Sequence, residues 1–435
     1  MFGLSPEWLL EDGRPFVDAM VLSHPEQVER LKAACPEAAE AAVLGGDPCF
    51  DRLLAARQYR ERFRRAFGVR AGQRLVVLNS TWNPQSLFGD DGGDVLPHLL
   101  HRLVEELPAD EYRIVAVLHP NIWYGHGPGQ VRYWLDRAQR AGLTLVDPLE
   151  HWRQALIAAD AVLGDGGSVT YYAAAAGVPV VLARRSLDLL APDSPVGRFN
   201  RTAPVLDLAQ QLAPQLERLI TTHRPLTEPA ELTTSVPGRS AELLRSALYD
   251  LVGVPEPDRR AQLDPLPLPP WTPPEHTVPL RVATRVTRRG EVQLHRFAGP
   301  MPEGVAGAVH TAVHEDTVDV HTLALADVIH RHGRPDDVRL GSPTAWCAEI
   351  LARWPHCQTA VYVTGPGTCV LRTTEGLSLE LSADDAPAAG AAPAALASAV
   401  HAWLAEGRGV RTLVRRGLRV HTGRHVTSVQ VRRSG

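Results

Sequence analysis

From Leu75 onward, five short apolar runs alternate with four longer amphipathic segments. The runs are LVVLNS (75–80), YRIVAVLH (112–119), LTLV (143–146), DAVLG (160–164) and VPVVLA (178–183). Between them lie VLPHLLHRLVEEL (95–107), GQVRYWLDRAQRAG (129–142), HWRQALIAA (151–159) and SVTYYAAAAG (168–177). Strands separated by helices of this length pair in parallel through helical crossovers. The runs are apolar almost throughout instead of alternating, as strands covered on both faces must be. The pattern predicts an α/β fold built on a doubly wound parallel sheet, with Gly177 ending the last helix from a C′ position.

The flanking segments are organised differently. Residues 1–50 hold one strand-helix-strand pattern (17–25, 26–34, 41–46) and read as the remnant of an amino-terminal α/β domain, ahead of a main domain over 51–252. Helices are expected around 208–220 and 240–252. Nine of the 26 residues from 255 to 280 are proline, which excludes a helix or a central strand and reads as a stiff linker over 253–280. Beyond it, LRVATRVT and EVQLHRF flank a hairpin turn, while TAVYVTG, TCVLRT and LSLELS form a meander with helices near 343–354 and 392–407. Residues 281–435 therefore read as a separate, small α+β domain that folds by itself, joined across few backbone hydrogen bonds. Its last segment, 407–435, carries eight arginines and no acid, the pattern of a solvated charged rim.

Composition excludes several functions. Lys+Arg 45 against Asp+Glu 49 leaves a formal charge of -4, so no general positive field exists to hold nucleic acid. The uncharged stretches are broken by glycine and proline, so no transmembrane segment is expected. The first residues carry acids before any base, unlike a signal peptide, and five cysteines without paired spacing fit reduced thiols, so a cytoplasmic location is expected. Lys32 is the only lysine, which rules out a G-x-x-x-x-G-K-S/T phosphate loop. NSTWNP stands where a G-x-G-x-x-G dinucleotide loop would have to be. His310 and His314 lie four apart, with Asp316 and His321 following. Without H-E-x-x-H or a cysteine pair nearby, no metal site is expected there, and no cofactor.

Ligands of an open α/β sheet bind beyond the carboxyl ends of its strands. Ser80, Thr81 and Trp82 follow the first strand, and His119 ends the second. Asp165, Gly166, Gly167, Ser168, Val169 and Thr170 follow the fourth and open a helix. Unpaired N–H groups and the positive dipole end of a helix favour an anion there, and glycines let a phosphate approach the backbone. A bare capping turn would have the same appearance. His119 is placed to act as a cation toward a diphosphate or as an acid on a leaving group.

Taken in order, Ser80-Thr81-Trp82, His119-Pro120, Asp165-Gly166-Gly167-Ser168 and Gly177-Val178-Pro179-Val180 resemble the carboxy-terminal half of GT-B glycosyltransferases. Most similar is the CDP-glycerol glycerophosphotransferase-like (teichoic acid polymerase) group, in which strands end in P-T-W and then H-P, and a later D-x-S-S turn precedes a P-I/V strand. Gly46 to Leu53 is also similar to the family's G-x-P-R-x-D turn, with Cys49 in place of arginine. The resemblance covers about 17–220. It implies a Rossmann-like sheet and a nucleotide-diphosphate donor as substrate. It also implies that the pyrophosphate is received by the helix start at Ser168 to Thr170 and by His119, which would be the catalytic residue. Gly166 and Gly167 depart from D-x-S-S, and only about 50 residues precede this half where the family has a full acceptor domain.

Two functions follow as expectations. One is a GT-B-like transferase, or a degenerate relative, binding a nucleotide-diphosphate-activated sugar or polyol phosphate. The other is a non-catalytic nucleotide-sensing protein whose carboxy-terminal domain contacts a protein partner.

Overall fold

A computed structural model describes residues 4–82, 84–89, 95–185, 187, 190–271, 276–384 and 391–434. A short helix α1 (Pro6–Leu9) and the two-residue strands β1 (Leu10–Glu11) and β2 (Arg14–Pro15) precede a parallel pair, β3 (Met20–Leu22) and β4 (Ala42–Leu44), connected by α2 (Pro25–Ala34). Then α3 (Pro48–Ala56), capped by Asp47, and α4 (Arg60–Ala66) lead into the main sheet.

That sheet contains β5 (Arg74–Ser80), β6 (Tyr112–Leu118), β7 (Thr144–Leu145), β8 (Ala161–Gly164) and β9 (Val180–Leu182). Its order is β7-β6-β5-β8-β9, with every pairing parallel. The crossovers are α5 (Leu96–Glu106), the pair α6 (Pro120–His126) and α7 (Pro128–Arg140), α8 (Trp152–Ala158) and α9 (Ser168–Ala175). Every residue of β6 is buried, as the unbroken apolar runs require. One core, with Leu78, Leu99 and Leu135, lies under α5 and α7; the other, with Val77, Leu156 and Ala174, lies under α8 and α9. The expected doubly wound α/β sheet is present. Four helices complete this part: α10 (Pro195–Thr202), α11 (Leu212–Thr222), α12 (Thr227–Thr233) and α13 (Ser240–Val252). Among the described residues no helix is long and apolar enough to cross a membrane. None of the five cysteines is in a disulfide.

After the proline-rich stretch the chain builds a closed barrel, where the sequence reading expected a hairpin and a meander in an α+β domain. Its strands are β10 (Leu280–Val286), β11 (Glu291–Phe297), β12 (Ala308–His314), β13 (Val328–His332), β14 (Thr359–Gly365), β15 (Thr368–Thr373), β16 (Ser378–Ala383), β17 (Leu418–Thr422) and β18 (His425–Arg433). They close in the order β10-β11-β17-β18-β16-β15-β14-β13-β12. The hairpin and meander pairings exist, but closure rests on contacts distant in sequence, such as parallel β11 with β17. Helix α14 (Val320–Ala324) joins β12 to β13, and α15 (Pro343–Arg353) covers the outside through Trp346 and Ile350. Down the middle runs α16 (Pro393–Ala405), buried on every side from Pro393 to Trp403. A helix apolar on nearly every side, with Ser398 and His401 its polar residues, belongs inside a core, and here the core is the barrel. The arginine-rich tail forms α17 (Val410–Arg416) and the two strands that complete closure, so it leaves no free sheet edge.

The barrel and the sheet meet across a buried ion pair. Arg296 of β11 donates from Nε and Nη2 to the two carboxylate oxygens of Asp110, both at 2.8 Å, and each side chain is 4% exposed. The Arg296 carbonyl also accepts from the N–H of Ala109. Burial alone would push the Asp110 carboxyl up, but the Arg296 guanidinium, with Arg70 behind it, holds it below the usual carboxylate range. Around this centre, His295 pairs with Glu111 and Arg424 with Glu217. The proline stretch is a strap rather than a free spacer. Its carbonyls at Asp264 and Pro267 accept from Arg52 and Gln154, Leu266 is buried in the sheet core, and the N–H of Thr277 bonds the Arg140 carbonyl. Prolines remove donors but leave carbonyls free to accept from side chains, a kind of contact that an expectation of few backbone hydrogen bonds does not address.

Breaking a buried ion pair by removing one partner strands a charge and costs about 3–5 kcal/mol. Arg296→Met and Asp110→Leu should each destabilise the full chain by this order in urea denaturation, and the double variant should recover most of the loss. Because the folded Asp110 pKa is depressed, the pair's contribution is present above about pH 4 and fades as pH falls through the folded value. Two single variants as stable as the parent would show that barrel and sheet are not locked in solution.

Candidate functional site

The chain winds outward from β5 through β6 to β7, then returns to place β8 on the other side of β5. At such a reversal an open α/β sheet offers a binding edge, and here the loops leaving β5 and β8 are bonded to each other across it. The residues singled out from the sequence all lie along this edge, but they divide into those that build it and those that face outward.

Asp165 is the builder. It is wholly buried at the end of β8, and its Oδ2 accepts from the N–H of Thr81 at 2.7 Å, the Thr81 hydroxyl at 2.8 Å and the N–H of Leu87 at 3.3 Å. Its Oδ1 accepts from the Gly167 N–H at 3.2 Å. Burial pushes its pKa up, and these four donors pull the other way without cancelling the rise. Ser80, also buried, accepts from the Phe88 N–H through its hydroxyl, while its carbonyl takes the His119 N–H. Loop 80–88 is thereby folded back onto both neighbouring strand ends.

The glycines are explained by close approach. A Cβ on Gly166 would stand 1.7 Å from Asn200 Oδ1, and one on Gly167 would stand 2.0 Å from the Thr81 methyl. Where the resembled family has D-x-S-S, Asn200 and Thr81 here fill the space its side chains would need. Asn200 itself donates to the Gly166 carbonyl at 3.0 Å. It lies in helical RFNRT, where nothing in the sequence marked it.

Thr170 requires a correction. The sequence reading placed it with Ser168 and Val169 at the phosphate, but it is fully buried, and its hydroxyl accepts from Asn79 Nδ2 at 3.1 Å. One turn into α9, its side chain faces the strand ends. Ser80 and Asp165 are likewise spent on holding the turn, so none of the three presents a polar group to a ligand.

The outward face consists of Ser168, Trp82 and His119. Ser168 is exposed at the first position of α9, and no side chain caps that end. Trp82 is 49% exposed with its ring 6.2 Å from that of His119. His119 caps α6: its Nδ1 accepts from the Asn121 N–H at 3.1 Å, which leaves the ring proton on Nε2. Burial lowers its pKa against the opposing pull of Asp165. With Nδ1 taken by the cap, the ring offers Nε2–H as a donor, and the lowered pKa weighs against the cationic role while leaving that of an acid on a leaving group open.

No protein-family model matches the sequence, and a search of curated proteins finds no relative. Comparison of structures finds partial likenesses. A variant of the wall teichoic acid polymerase TagF is 15% identical at TM-score 0.37, over 54% of this chain and 57% of that one. A putative UDP-N-acetylglucosamine 2-epimerase from Listeria monocytogenes is 14% identical at TM-score 0.31, over 57% and 63%. A UDP-GlcNAc 2-epimerase from Neisseria meningitidis, solved with UDP-GlcNAc, is 14% identical at 0.32, over 54% and 61%. The chain thus spans less than two thirds of these proteins' lengths.

Asp165→Asn turns one end of the carboxylate into an amide donor facing N–H groups. A stranded buried donor costs about 1–3 kcal/mol, so the variant should melt several degrees below the parent. Thr170→Val should lose stability similarly through Asn79. An unchanged melting temperature in both would remove the hydrogen-bonded turn as the basis of this edge.

Proposed function

We propose that the crevice beyond β5, β6 and β8 binds the diphosphate of a nucleotide-activated small molecule, a sugar or polyol phosphate. On this reading the chain is a GT-B-like transferase or a degenerate relative of one. The observation that carries the reading is the uncapped start of α9, with Ser168 exposed above a turn held rigid by Asp165. N–H groups there and the Ser168 hydroxyl can donate to phosphate oxygens without competition from a capping side chain. His119 Nε2–H adds a neutral donor, and the open face of Trp82 offers a surface on which a base or sugar can stack.

A second reading, non-catalytic nucleotide sensing with the barrel as a partner-binding module, draws on a different observation. Asp165 is the carboxylate of these strand-end segments, and it is buried and committed to four donors. A general base must reach the proton it removes, and this one does not. Transfer would need a base from another part of the chain or from a partner.

Calorimetry with CDP and UDP, followed by a donor-hydrolysis assay, separates the readings. A hydrogen bond to a charged group contributes about 1.5–3 kcal/mol, so Ser168→Ala and His119→Ala should each weaken nucleotide binding about tenfold or more. Both should melt close to the parent, because Ser168 is exposed and His119 gives up one local cap. Binding without turnover favours the sensor. Unchanged affinity in both variants places the ligand elsewhere.

A further inference from the structure

The barrel gathers histidines that the sequence keeps apart. Along β12 and β13 the side chains that share a face with Ala312 and Val328 point to the barrel core. His314 ends that face of β12, and His330 and His332 continue it on β13. The parallel register sets His314 beside His330. One nitrogen from each of the three rings lies within 4.8 Å of the others, and the ring centroids are 5.1 to 6.0 Å apart. His330 is 3% exposed, and neither of its ring nitrogens has a hydrogen-bond partner. Leaving such a group unsatisfied is costly, and the space shared by the three rings is where a partner would serve all of them.

We propose that His314, His330 and His332 form a binding site for one zinc-class divalent ion at the mouth of the barrel. Imidazole nitrogens suit zinc and its transition-metal neighbours, whereas calcium and magnesium demand oxygen ligands. Three protein ligands leave a fourth position open. Bonds of about 2.0–2.1 Å place ligand nitrogens around a tetrahedral ion about 3.3 Å apart, so the trio must close by about 1.5 Å at most. His332 is exposed at the rim, where an ion can enter and where its side chain has solvent to move through.

The surroundings support this assignment. Nδ1 of His314 faces Asp316, whose N–H lies at 3.1 Å and whose carboxylate lies at 3.9 Å. As it stands Nδ1 accepts the Asp316 N–H, so an ion on Nε2 requires the ring proton to move to Nδ1 and that bond to be exchanged for one to the Asp316 carboxylate, the usual outer support of a metal-bound histidine. The nearest guanidiniums are already matched, Arg331 by Glu315 and Arg296 by Asp110, and Asp110 also faces Arg70. The sequence reading took His310 and His314 as a pair, but the His310 ring lies against that of His401 of α16, with centroids 4.7 Å apart and planes tilted by 54°. The signal it did contain was His330-Arg331-His332, two imidazoles on one face of a strand.

The test uses the full chain, stripped with a chelator and titrated with Co2+ while its visible absorption is followed. Absorption bands should saturate at one Co2+ per chain and be displaced by one Zn2+. His332→Ala, at the exposed rim, and His330→Gln should each weaken binding by at least the about 10–100-fold that loss of an outer support costs. The metal-free His332→Ala protein should melt like the parent, and Zn2+ should raise the melting temperature of the parent alone. His321→Ala, exposed and outside the trio, should keep full affinity. Absence of a saturable Co2+ spectrum, or a spectrum that survives both trio substitutions, overturns the site.

Discussion

The bidentate pair between Arg296 and Asp110 is the interaction on which the rest of the architecture turns. Two charged side chains have been taken out of water, at a desolvation cost that an isolated charge could not recover. The geometry recovers it because both carboxylate oxygens meet a donor and because the adjacent backbone adds a hydrogen bond of its own. Buried pairs of this kind seldom raise stability above an apolar replacement, but they penalise misplacement severely. A barrel shifted by one residue along β11 would turn Arg296 out of the interface and leave Asp110 alone. The pair thus fixes the rotation of the barrel against the sheet, and the strap from Pro255 to Pro279 is then pinned at both ends.

How much of this was legible in the chain depended on the range of the determining contacts. The parallel sheet was, because a strand covered on both faces has to be apolar along its whole length, and Leu75–Leu78 and Ile114–Leu118 are. The barrel was not. Strands such as β11, β16 and β18 alternate, and alternation specifies one wet face and one dry face without saying whether the sheet closes. Closure is decided by β11 meeting β17 more than a hundred residues later. One hint was present in α16, where Ser398 and His401 are the sole polar residues among alanines, leucines, valine and tryptophan. A helix of that kind needs a wall on every side, which an open hairpin and meander could not supply.

At the crevice the residue types were readable, but their orientation was not. Ser80, Thr81, Asp165 and Thr170 are the residues a phosphate site would use, and also the ones a tight turn would use to satisfy its own backbone. The choice between the two lies in burial, which depends on Asn79 and Asn200 reaching in from other elements. Thr170 points inward because the helix begins at Ser168, and a residue two positions on faces the sheet. A shift of one residue in that boundary would have exchanged their roles.

The two edges of the molecule handle polar atoms in opposite ways. Beyond β8 the carboxylate of Asp165 is buried and each of its oxygens meets at least one donor, although Asn200 Oδ1 beside Gly166 is left without a partner. Inside the barrel His330 is as deeply buried, yet both its nitrogens lack partners. Folding alone gives no reason to keep an imidazole there, because leucine in that place would remove the unsatisfied atoms and add apolar contact to the neighbouring core of Val328 and Val361. A polar group that the fold does not itself satisfy is retained most economically where something outside the polypeptide satisfies it. By that criterion the mouth of the barrel, more than the rim of the crevice, has a shape that is unfinished until it binds.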